Sequence, residues 1–290
     1  MERSIEVAPG VTLWTRVTGE RGSPLLLVMG ANAAGLTWPD ELVERLATRH
    51  RVIVYDHRDT GRSSFAFDEH PYAIADLAGD AVRVLDGLGI DRAHVMGMSM
   101  GGTLVQLLLL DHPERLLSAT VLATSALGAG LAGGVDAPPL PDPDPRLLAL
   151  WEHLADPRDR DAEIEFRVAH WRILNGDVVP FDADFFRRVE ARVIDHAGRH
   201  DNPAAHARAD QGGLDRAAEL AGVTTPTLVI EAPEDPINPP PHAAHMAGVI
   251  AGAELVTIPG MGHALSPAVL GPLADAVLAH TGAASGSRPD

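Results

Sequence analysis

Cysteine and lysine are both missing from this chain of 290 residues. The first absence rules out a disulfide framework, a thiolate nucleophile and a zinc–thiolate centre. The second makes every basic residue an arginine, which removes Schiff-base chemistry and the lysine of a phosphate-cradling P-loop. Positive charge is scarce altogether: 23 basic residues face 40 acidic ones, for a formal net charge of -17. Such a balance repels phosphate backbones and anionic lipid, so neither nucleic acid nor a membrane is an expected partner. No apolar run is long enough to span a bilayer. Residues 1–17 alternate polar and apolar instead of pairing a basic start with an apolar stretch, and a cytoplasmic location is the expectation. The turn after the first buried run lacks the G-x-G-x-x-G of nicotinamide enzymes. Histidines are scattered; His196 and His200 stand four apart, but Gly198 interrupts them and no glutamate follows the first. Neither a cofactor nor a metal is expected.

Apolar residues make up 46 % of the chain, enough for a large core. Short aliphatic runs at 25–28, 52–55, 94–96, 119–122, 227–230 and 254–258 read as buried parallel strands. Helical patterns at 41–48, 72–88 and 103–111 lie between them, so the fold class is α/β, with helices on both faces of a sheet. Ile5-Glu6-Val7 and Thr12-Leu13-Trp14-Thr15, joined at Pro9-Gly10, read as an antiparallel edge. The alternation breaks after about Ser125. A Gly- and Pro-rich passage at 127–145 reads as loop, followed by helical patterns at 147–154, 163–174, 184–196 and 215–220. The expected organisation is a core of residues 1–125 and 222–281, a helical cap at 126–221, and a disordered tail at 282–290. A cap placed there covers the carboxyl edge of the sheet, where open α/β sheets bind ligands.

Gly97-Met98-Ser99-Met100-Gly101 falls between the run at 94–96 and the helix near Thr103, the strand–turn–helix setting in which G-x-S-x-G presents a nucleophile. The turn is tight enough that only residues with small or no side chains fit at the flanking positions 97 and 101. A serine hydroxyl needs a base, and the chain order expected for such a turn is Ser, then Asp or Glu, then His. His263 sits just past the last predicted strand, in a glycine-punctuated loop. Glu231, Glu234 and Asp235 all follow the strand at 227–230. Glu231 is too close to it, Asp235 precedes a Pro-containing turn and is the choice, and Glu234 is the runner-up. The amide of Met100 and that of Ala31, in the loop Met29-Gly30-Ala31-Asn32, are the expected oxyanion donors.

Four segments together resemble the α/β-hydrolases: Leu27-Val28-Met29-Gly30, Tyr55-Asp56-His57-Arg58-Asp59-Thr60-Gly61-Arg62-Ser63, the Ser99 turn, and Pro259-Gly260-Met261-Gly262-His263-Ala264. With Trp38-Pro39-Asp40-Glu41, Trp171-Arg172-Ile173-Leu174, Val179-Pro180-Phe181-Asp182 and Ile194-Asp195-His196-Ala197-Gly198, the combination resembles the aclacinomycin methylesterase group of anthracycline biosynthesis. The resemblance runs from about residue 11 to 281 and is weakest at 127–145. It implies an α/β-hydrolase fold, with an antiparallel N-terminal edge and an inserted helical cap. It also implies hydrolysis of a methyl ester on an aromatic polyketide, with Ser99, Asp235 and His263 as triad and Ala31 and Met100 at the oxyanion hole. Ala31 stands where that group carries glycine.

The expected partner is therefore a hydrophobic small-molecule ester, and the expected state a monomer or homodimer. Lactone or C–C hydrolysis, perhydrolysis and acyl transfer or cyclisation share the fold, as does a non-catalytic ligand cradle. Asn32 reads equally as a substrate contact or a turn residue. Trp38, Trp151 and Trp171 are candidates to stack on a planar polycycle, with core packing the stronger reading for Trp171. His57 and Asp59 are expected to brace the nucleophile loop, and Arg62, Arg158 and Arg160 to lie on the surface.

Overall fold

The computed structural model describes residues 1–130, 139–201 and 204–286. Its centre is an eight-stranded sheet of β1 (Glu2–Ala8), β2 (Val11–Thr18), β3 (Ser23–Val28), β4 (His50–Tyr55), β5 (Ala93–Met98), β6 (Leu116–Leu122), β7 (Thr227–Glu231) and β8 (Glu254–Thr257). The spatial order is β1-β2-β4-β3-β5-β6-β7-β8. Pairs β1–β2 and β2–β4 are antiparallel and all others parallel.

The aliphatic runs become strands because both faces of the sheet are covered, and alternate residues feed two separate cores. Leu26, Val28, Ile53, Tyr55, Val95, Val121 and Val229 point to one face. There they meet α2 (Asp76–Gly87), α3 (Met100–Asp111) and α8 (His242–Val249). Leu25, Leu27, Val52, Val54, Met96, Leu228 and Ile230 point to the other, against α1 (Asp40–Ala47) and α9 (Pro267–Gly286). Helix α9 runs on through Gly286, so residues 282–286 are helical where a disordered tail was expected. The remaining tail residues, 287–290, lie outside the described residues, as do 131–138 of the expected loop.

Between β6 and β7 stand α4 (Pro145–Trp151), α5 (Arg160–Leu174), α6 (Ala183–Ala197) and the short α7 (Ala205–Arg208). The segment expected to be helical at 215–220 is a 3-10 turn at Ala217–Gly222. Asp144, Asp159 and Asp182 cap α4, α5 and α6, each accepting from an amide of the first turn. These helices carry their own apolar cluster around Leu147, Ile164, Val168, Leu174, Phe186 and Ile194, to which the core loop adds Ala264.

The insertion is tied to the core by polar contacts. Buried Asp56, just after β4, accepts from the amides of Gly35 (2.7 Å) and Arg62 (2.8 Å) and from Nε2 of His196 in α6 (2.7 Å). The C-terminal end of α5 meets the loop after β8: the Leu174 carbonyl accepts from the amides of both His263 (2.7 Å) and Ala264 (3.1 Å).

Candidate active site

Strand order reverses at β3, flanked by β4 on one side and β5 on the other, and loops leaving the carboxyl ends of β3 and β5 diverge there. Ser99 occupies the turn out of β5, with φ 57° and ψ -125°, a positive-φ conformation costly for a residue with a Cβ. Close backbone packing holds it. A Cβ on Gly97 would lie 2.2 Å from the Gly101 carbonyl oxygen, and one on Gly101 would lie 2.1 Å from that of Val28. Glycine is required at both places because strand and helix backbones touch.

Ser99 lines a cavity of about 390 Å³, within the range of small-molecule sites. Met100, Ala31 and Asn32 line it too, with Leu127 and Leu214 among its apolar walls. Met100 opens α3, where first-turn amides have no acceptor within the helix. Gly30 leaves open the space facing Ser99: a Cβ there would come within 3.2 Å of the Ser99 Cβ and 3.7 Å of its Oγ.

Of the three carboxylates weighed at and beyond the end of β7, Asp235 meets His263. The His263 Nδ1 lies 3.0 Å from Oδ1 and 2.9 Å from Oδ2 of Asp235, and both side chains are buried. A carboxylate only accepts, so Nδ1 carries the proton and Nε2 is left as the basic nitrogen. Asp235 Oδ1 also accepts from the amides of Ile237 (2.8 Å) and Asn238 (3.0 Å), residues that themselves line the cavity. Burial pushes the Asp235 carboxyl up, but the His263 imidazole, by charge and hydrogen bond, and the two amides outweigh it and hold the group below its usual range. Glu231 instead accepts from the Thr257 hydroxyl across to β8, and Glu234 offers its backbone amide to Met261.

His263 is reached by a loop that only glycine could supply. A Cβ on Gly262 would sit 2.4 Å from the Leu174 carbonyl oxygen and 2.5 Å from that of Asn175, so the loop presses directly on the end of α5. On the same helix, His170 feels the charge of His263. Burial first and that charge second lower its pKa to about 4.

Trp38 and Trp151 fall elsewhere than expected, whereas Trp171 takes the packed position that was its stronger reading. Trp38 is fully buried against the sheet face that holds Leu25 and Val54, so it is a core residue and cannot reach a substrate. The reason is its position before α1, which lies flat on that face. Trp151 donates from Nε1 to His170 (3.1 Å), and Trp171 donates to buried Glu190 (2.5 Å) and stacks on Phe186. Neither lines the cavity that holds Ser99. Arg158 is half-buried and not simply solvated: it bonds buried Glu163 and covers the Phe166 ring. Asp59 braces its own loop, accepting from the amides of Ala66 (2.9 Å) and Phe67 (3.1 Å). His57 braces the loop after β3 rather than the Ser99 turn: it donates from Nε2 to the Met29 carbonyl (2.9 Å).

Several cavity residues carry no sequence signature, notably Thr103, Thr124, Gln211 and His206. His206 is 2 % exposed; burial, then the nearby His57, lowers its pKa to about 3. Among the described residues no three potential metal ligands cluster, and no helix is long and apolar enough to cross a membrane.

Comparison with known proteins places the chain. Residues 23–267 match the family model described as alpha/beta hydrolase fold. The chain is 50 % identical over 287 residues to the rhodomycin D methylesterase DnrP of Streptomyces peucetius, covering 95 % of this chain and 96 % of that one. It is equally similar, with the same coverage, to the rhodomycin D methylesterase DauP of Streptomyces sp. (strain C5). A solved hydrolase from Pseudomonas aeruginosa PA01 superposes with a TM-score of 0.73 at 27 % identity, over 97 % of this chain and 98 % of that one. The chain belongs to the α/β-hydrolase fold family.

Proposed function

We propose that this protein is a serine carboxylic-ester hydrolase that removes the methyl group from the ester of an anthracycline-like aromatic polyketide. The observation that carries the reading is the Asp235–His263 pair bonded through Nδ1, joined through the Ile237 and Asn238 amides to the cavity that holds Ser99. The 50 % identity to two rhodomycin D methylesterases supports the substrate class. The mostly apolar lining, with Ile74, Leu127, Leu214 and Ile237, suits a polycyclic substrate.

In this reading Ser99 Oγ attacks the ester carbonyl while Nε2 of His263 takes its proton. Asp235 fixes the tautomer and balances the imidazolium. The amides of Met100 and Ala31 receive the negative oxygen of the tetrahedral intermediate. Collapse expels methoxide, which takes the proton from His263 and leaves as methanol. Water then repeats the sequence on the acyl-enzyme, releasing the free acid and restoring Ser99. Helices α4–α7 serve as a cap over the cavity, with residues 1–125 and 222–281 as the catalytic core.

Mass spectrometry of a rhodomycin-type methyl ester incubated with wild type and with Ser99→Ala tests this. Wild type alone should give a product lighter by one CH2. Ser99-dependent cleavage of a simple aryl ester without that product would move the substrate elsewhere. Inertness toward both would overturn the hydrolase reading.

A further inference from the structure

The loop after β3 is held at both ends by histidines, and one of them comes from the cap. At one end His57 donates to the Met29 carbonyl (2.9 Å). At the other, the amide of Asn32 donates to Nδ1 of His206 in α7 (2.8 Å). Opposite that contact, Nε2 of His206 lies 3.0 Å from the Arg58 carbonyl oxygen. A carbonyl only accepts, so Nε2 carries the proton and Nδ1 is the bare acceptor that the Asn32 amide requires. The two contacts fix one tautomer, and the neutral imidazole is satisfied on both sides. The rings of His57 and His206 meet edge to face at 5.6 Å, so the two clamps also brace each other.

Asn32 itself has φ 59°, a conformation that asparagine tolerates better than most residues but that still needs outside support. With Met29 and Asn32 both engaged, Gly30 and Ala31 form the stretch facing Ser99. The segment carrying His206 is anchored in turn: Asp210 pairs with Ala73, its carbonyl accepting from the Ile74 amide (2.9 Å).

We propose that His206 is a positioning residue. By accepting from the Asn32 amide it sets the orientation of the Ala31 amide, so that the cap, and not the core alone, shapes the oxyanion site. This inference rests on the reading of Ser99 as nucleophile and Ala31 as oxyanion donor.

The test compares His206→Phe, which keeps a ring but removes the acceptor, with His206→Asn, whose Oδ1 takes the place of Nδ1. Loss of one oxyanion donor costs about 100- to 1000-fold in kcat, and misplacing it costs less. For His206→Phe a kcat fall of about 10- to 100-fold is expected, with KM changed by less than about 3-fold. Affinity for an aryl trifluoromethyl ketone, whose hemiketal oxygen mimics the oxyanion, should fall by the same factor as kcat/KM. His206→Asn should recover most of both. If His206→Phe does not fold, the trifluoromethyl ketone affinity of His206→Leu against His206→Asn gives the same comparison. A kcat in His206→Phe within about 3-fold of wild type, or equal losses in the Phe, Leu and Asn variants, overturns the proposal. Ser99→Ala is measured alongside: retained turnover there sinks the nucleophile reading, whereas its loss with an unaffected His206→Phe sinks the positioning role alone.

Discussion

Acid should unfold this protein well before its carboxylates titrate, because buried histidines are held neutral. His94 and His170 have pKa values lowered to about 4 and His206 to about 3, in each case chiefly by burial. In the unfolded chain each titrates near 6.5. The unfolded state therefore binds protons more tightly, and the stability these groups contribute is complete above pH 6.5 and lost as pH falls toward their folded values. Within that window each histidine costs about 1.4 kcal/mol per pH unit. From pH 7 to pH 5 the loss is about 2 kcal/mol per group, or about 6 kcal/mol for the three, against the 5–15 kcal/mol that holds an ordinary domain together. Urea unfolding followed by far-UV circular dichroism at half-unit pH steps measures this directly. His94 offers the control, since it lies on β5 at the end remote from Ser99 and bonds Ser118 (2.8 Å). In His94→Gln the pH-dependent loss should shrink by about 2 kcal/mol. A stability that changes by less than about 1 kcal/mol between pH 7 and 5, or a His94→Gln slope equal to wild type, would refute the reasoning.

Asp235→Asn should lower kcat by about four orders of magnitude while leaving the fold intact, because the amide supports the wrong histidine tautomer. Glu234→Gln should stay within about 2-fold of wild type, and steady-state kinetics on a chromogenic ester separates the two; a reversed ranking would transfer the acid role. Gly262→Ala drives a methyl against the Leu174 and Asn175 carbonyl oxygens at the end of α5 and should cost about 1–3 kcal/mol, read as a lowered Tm together with a lowered kcat. Trp38→Ala should lose about 3–5 kcal/mol of stability, yet leave KM for a polycyclic ester unchanged, as befits a core residue; a raised KM at full stability would restore it to the pocket.

The sheet was legible because its strands are buried on both faces and so read as unbroken aliphatic runs. The strand at 25–28 carries Leu25 and Leu27 for one core and Leu26 and Val28 for the other, and either half alone would have left a weaker signal. The Ser99 turn was legible because close backbone contact restricts the flanking positions to glycine. Helices α8 and α9 were not read in advance: α8 is built mostly of Ala, Gly and His, and α9 contains Pro272, so neither shows a clear apolar stripe. Asp235 could be chosen over Glu234 by its place before a Pro-containing turn. His206 had no such mark, since its importance lies in a contact 174 residues away with the Asn32 amide. Tryptophan was misread at position 38 because a large flat side chain suits a polycycle and a core equally well, and sequence alone gives no depth.

The pair of hydrogen bonds that the Leu174 carbonyl accepts from the amides of His263 and Ala264 has a consequence for anyone exchanging substrate ranges between relatives. The seam where α5 ends is part of the ruler that sets the place of the His263 imidazole. A grafted insertion that shifts this carbonyl by one helical step carries the imidazole with it, and a chimera with a well-formed pocket would still be inert. Transplants should therefore leave the host's end of α5 in place, together with His196 and His206, which bond Asp56 and the Asn32 amide.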